Sequence, residues 1–180
     1  MAYSNTNDSI LVELAKCMSK IHQQMIHTIR NLSKINDINA GQWFLECWIL
    51  ARWILEYALI SNYYNSLSKK AIESHKLKVK VVFDRVLNKK FSEVGLKSDQ
   101  LESFVSSAIE TYTKIVAEQG FPECLPIIGD VCISGIYKID DDKVFKSFLT
   151  SNKPQVDRFV IELLDHIENA EGLWKSFVKT

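Results

Sequence analysis

The chain has 180 residues, 47% apolar and 24% charged, with 22 basic residues against 22 acidic. That composition fits one globular domain able to bury a core without staples. Its six glycines and three prolines are too few for the turns of an all-β fold.

The charges cancel overall but not locally. Residues 65–97 carry a net +6, and residues 98–142 a net −7. Two readings follow: neighbouring elements of opposite sign pack side by side, or the basic stretch forms a face for an acidic partner.

Residues 1–7 read as a polar tail, after which Asp8 can cap a helix running to about Ile35. Its seam is Leu11, Leu14, Met18, Ile21, Met25, Thr28, Leu32 and Ile35, in alternating steps of three and four with one Thr as the flaw. His22 and His27 flank this seam, five apart rather than at ligand spacing, and read as boundary or surface residues. Residues 36–41 form a turn in which Asn39 and Gln42 have the pattern of a capping box.

The stretch from Trp43 to Ile60, WFLECWILARWILEYALI, is the most apolar of the chain. It has the length of a membrane span, but Glu46, Arg52 and Glu56 lie inside it. Each central charge costs roughly 2.5–3.5 kcal/mol in a bilayer, so a buried helix of a soluble bundle, residues 40–64, is expected. Trp43, Trp48 and Trp53 recur every fifth residue, which turns successive rings by about 140° and sends them to different sides. Rings so placed do not converge into an aromatic cage.

The charged residues of this helix cluster by angle. Gln42, Glu46, Arg52 and Glu56 fall within about 120° of each other and form one polar strip, the candidate ligand-binding site. Glu46 and Glu56 stand about 15 Å apart along the axis, against roughly 5–9.5 Å for a glycosidase carboxylate pair. They are not an acid/base pair by themselves.

The basic segment 65–97 carries Lys69, Lys70, Lys76, Lys80, Arg85, Lys89 and Lys90, the candidate partner-binding face. Leu77–Val81 alternates like a strand, yet 72–91 lacks turn residues and reads as a helix. After Gly95, Ser98 opens a helix whose seam is Leu101, Val105, Ala108, Tyr112 and Ile115, ending near Gly120. Residues 121–138 contain Pro122 and Pro126 and fit either a short buried helix or extended chain. Asp140–Asp142 lack the later ligands of a calcium loop and read as a helix cap, with Val144, Phe145, Phe148 and Leu149 as the apolar face beyond. The last helix, after Pro154, has the cleanest seam: Val156, Val160, Leu163, Ile167, Ala170, Trp174 and Phe177, with His166 at its edge.

The fold expectation is therefore one all-α domain over 1–180, about six helices around the buried helix 40–64. Cys17, Cys47, Cys124 and Cys132 have no zinc spacing. No Glu has a His three residues on, no Ser sits in G-x-S-x-G, and Gly129 and Gly135 do not make a phosphate loop. No metal or cofactor is implied. The polar opening MAYSNTNDS is not a secretory leader, so a reduced cytoplasmic setting is expected.

On this basis the chain reads as a helical interaction or regulatory module, acting through a protein partner or self-association. The alternatives are nucleic-acid binding by 65–97 and a small apolar-ligand site, or a dispersed enzyme site, near Arg52.

Overall fold

A computed structural model describes residues 4–32, 40–91, 98–137, 139 and 141–178. They form seven helices: α1 Ser4–Leu32, α2 Ala40–Tyr63, α3 Lys69–Phe91, α4 Ser98–Gln119, α5 Cys124–Tyr137, α6 Asp142–Ser151 and α7 Lys153–Phe177. The all-α bundle is as expected. The Asn39–Gln42 capping box, the Gly95 break and the side chains of Trp43, Lys89 and Lys90 lie outside what is described.

Helix α2 is the hub. It packs against α1, α3, α4, α5 and α7, with α7 its most extensive neighbour, while α6 packs on α7. Its apolar residues run all the way round, so every side that faces a neighbour is buried. Trp48 stacks on His22 of α1, ring centroids 4.1 Å apart. Trp53 stacks on Tyr57 and meets Tyr112 of α4 edge-on at 5.8 Å. Trp48 and Trp53 thus lock different partners to one helix.

The outer helices bury the stripes that their spacing sets. Leu14, Met18, Ile21 and Met25 of α1 are fully or almost fully buried. Thr28, the flaw in that seam, is buried too, and its hydroxyl donates to Glu162 of α7. A hydroxyl stands there because a carboxylate faces it. Helix α1 starts at Ser4, ahead of the Asp8 cap. Two histidines are more buried than their flanking positions suggest, since Trp48 covers His22 and His166 lies under the α1–α7 contact.

The two ambiguous segments are both helical. In α3 the strand-like alternation over Leu77–Val81 gives way to a helical stripe of Ile72, Val79, Val82, Phe83 and Leu87 towards the core, and Leu77 is left 59% exposed. In α5, Pro126 occupies the first turn, where its missing N–H costs nothing. Gly120 ends α4 at φ 77°, a left-handed position suited to glycine. Asp141 caps α6, accepting from the Lys143 and Val144 backbone N–H groups at 2.8 and 3.0 Å. Val144 itself is 56% exposed, so it leaves the apolar face of α6 to Phe145, Phe148 and Leu149.

Candidate functional sites

The polar strip of α2 exists, but its neighbours cover it. Glu46 and Glu56 are each only 6% exposed. Arg52 donates through Nε to Glu56 Oε1 at 2.7 Å, one helical turn on, and its guanidinium lies 5.2 Å from the centroid of Phe83 in α3. The strip therefore does not stay open to solvent along its length, because α3, α4 and α5 close over it. Arg52 reaches a cleft of about 130 Å³, lined also by Lys80, Asp84, Glu102 and Ser106. Gln42 belongs to α2, but its side chain is outside the described set.

Glu46 occupies a closed nest rather than an open site. Its carboxylate faces Gly135 of α5, where a Cβ would come within 2.9 Å of Oε1. Burial pushes its carboxyl up to about 7, and a hydrogen bond from the Tyr112 hydroxyl pulls weakly the other way. Burial also raises the thiols of Cys47 and Cys132 and the Tyr112 hydroxyl, so these groups are held protonated beside it. With its carboxyl at about 7, Glu46 is close to half protonated near neutral pH; a thiol held as high as that of Cys47 or Cys132 is a poor nucleophile.

On α3 the basic residues divide into two sets. Lys76 is bridged to Glu73 at 3.5 Å, and Lys80 to Asp84 at 2.9 Å and to Glu102 of α4 at 3.3 Å. The Lys80–Glu102 pair joins the oppositely charged segments at one exposed point, without extensive packing between the described residues of α3 and α4. Lys69, Lys70 and Arg85 are exposed, with no ion pair to a described residue.

Two further surfaces were not singled out by sequence. The first is a polar cleft of about 420 Å³ between α1 and α7, lined by His27, Thr28, Arg158, Glu162 and His166. Glu162 accepts from both Thr28 and Arg158, while Lys20 and Asp165 also line the cleft. His166 is held below the usual imidazole range by burial and is neutral at pH 7.

The second is a groove of about 460 Å³ on the outer side of α5, α6 and α7. Gly129 of α5 faces Val160 and Phe159 of α7 here, and a Cβ at that point would make ordinary contact, 3.4 Å from Val160 Cγ2. The floor is apolar, from Pro126, Leu149, Val156 and Val160, and Ile161 is 60% exposed at its edge. Asp130 enters from α5, while Lys153 and Asp157 pair with each other across one turn of α7. The available signal was Ile161, an apolar residue beside the seam rather than in it; Val156 and Val160 had read as core, yet they line this groove.

Among the described residues no group of three or more His, Cys, Asp or Glu side chains could hold a metal ion, and no helix is long and apolar enough to cross a membrane. Comparison of the chain with protein-family models, curated proteins and solved structures finds no match.

Proposed function

We propose that this chain is a helical protein-interaction module that docks a partner on the outer face of α5–α7. The observation that carries this reading is the groove there, with an apolar floor of Leu149, Val156 and Val160 and an Ile161 side chain left 60% exposed. Grooves of this type are a recurrent way for a helical surface to hold a peptide segment. A reducing, cytoplasmic setting goes with the proposal, since all four cysteines are free thiols and three are buried.

The other readings draw less support. A ligand anchored by Arg52 would compete with Glu56, which already answers that charge in a buried pair. Among the described side chains, nucleic-acid binding through α3 would rest on Lys69, Lys70, Lys78 and Arg85, because Lys76 and Lys80 are engaged by carboxylates.

A photoreactive side chain at Ile161, compared with one at the exposed Lys114 of α4, tests the proposal in intact cells. The reading expects a discrete adduct from position 161 and none from 114. Equal labelling at both positions, or none at either, overturns it.

A further inference from the structure

The groove also indicates what its occupant is like. Asp130 stands half-buried in it, and no described cation pairs with it. Burial alone pushes its carboxyl up, with no opposing basic neighbour. The one lysine lining the groove, Lys153, is held by Asp157, with both carboxylate oxygens 3.0 Å from Nζ. The site is therefore an apolar trough containing one unanswered negative charge.

Building on the interaction reading, we propose that the occupant is an amphipathic helix of a partner protein carrying a Lys or Arg beside its apolar anchors. Three points lead there. The α7 wall runs from Lys153 to Ile161, eight steps or about 12 Å, the length of roughly two helical turns. That span takes anchors at i, i+3 or i+4, and i+7. The walls are helices whose backbone groups are already paired within them, so an extended strand would find no ladder to join. The Asp130 carboxylate complements a cation and repels phosphate, which favours a basic helix over nucleic acid.

Selection from a displayed library of helical peptides with one randomised face, on the immobilised full chain, tests this. Affinities are then measured by fluorescence anisotropy against the native chain and the Asp130→Asn and Ile161→Glu variants. Both positions are at least partly exposed, and circular dichroism verifies that each variant keeps its helices. The expected result is enrichment of peptides with a Lys or Arg at one fixed position next to apolar anchors. Their binding should fall roughly tenfold in Asp130→Asn, the worth of one partly buried charge-assisted contact, and be lost in Ile161→Glu.

Binders that lack a basic residue, or that ignore Asp130→Asn, overturn the cationic-helix proposal and leave groove docking intact. Binders indifferent to Ile161→Glu, or no binders at all, overturn both. A dimer in light scattering that Ile161→Glu dissolves replaces the foreign helix with a second copy of this chain.

Discussion

The indole Nε1 of Trp174 donates to the backbone carbonyl oxygen of Leu55 across 2.8 Å, in an interior closed to water. One side chain thus ties the last turn of α7 to the middle of α2 by a directional bond as well as by packing. Trp174→Phe keeps most of the ring and removes the donor. Urea unfolding should show a loss of about 2–3 kcal/mol, combining the missing bond and the void left by the smaller ring. A loss below 0.5 kcal/mol would mean that the bond does not hold the two helices.

The Arg52–Glu56 pair yields a double-mutant prediction. Arg52→Met strands a buried carboxylate and should cost about 3 kcal/mol or more. Adding Glu56→Leu should recover much of that loss, because the second change removes the stranded charge. Strictly additive losses would show that the two side chains do not act as a pair.

Glu46 sets a slope in the pH dependence of stability. Its carboxyl sits at about 7 in the fold against 4.5 in the open chain, so the folded state binds the extra proton between those values. Its contribution is fully present below about 4.5 and is lost as pH rises through 7. Glu46→Gln should therefore be more stable than the native chain at pH 8, by on the order of 3 kcal/mol, with the gap closing towards pH 5. His75 and His166, both lowered by burial, and Asp130, raised by burial, add slopes of their own to each protein. The difference between variant and native melting curves across pH isolates Glu46, and a pH-independent difference would contradict the assignment.

Two glycines should respond in opposite directions to alanine. At Gly172 a Cβ meets nothing within 4 Å, and Gly172→Ala should stabilise α7 by about 0.5–1 kcal/mol. At Gly135 a Cβ meets the Glu46 carboxylate, and Gly135→Ala should cost about 1–2 kcal/mol despite the better helix propensity. In a Glu46→Ala background the Gly135 substitution should turn neutral or favourable. Thermal melts of the native chain, the three single variants and the double variant decide this.

Helices α1, α4 and α7 were legible because each repeats its apolar residues every three or four positions, and Leu163, Ile167, Ala170 and Trp174 are buried as that spacing requires; the spacing left α5 open between helix and extended chain. The hub was legible from the rotation of Trp48 and Trp53. The fate of the polar strip was not. Whether Glu46 faces water depends on Tyr112 and Gly135, which lie far along the chain and meet it only through packing. The α5–α7 groove was hidden for the opposite reason. Val156 and Val160 fit a core stripe as well as a groove floor, and spacing along one helix does not reveal where a neighbouring helix ends.

The place of α7 against α2 also has a consequence in time. Helix α2 ends at Tyr63, and its most extensive neighbour begins at Lys153, about 90 residues later. At roughly 5–20 residues per second of synthesis, about 5–20 s pass before that cover exists, whereas a helix forms in about a microsecond. For those seconds a formed α2 shows one flank of Trp, Leu and Ile without its final neighbour. A newborn chain is therefore most exposed to aggregation, and most in need of a chaperone, while its ribosome is between the codons for α2 and α7.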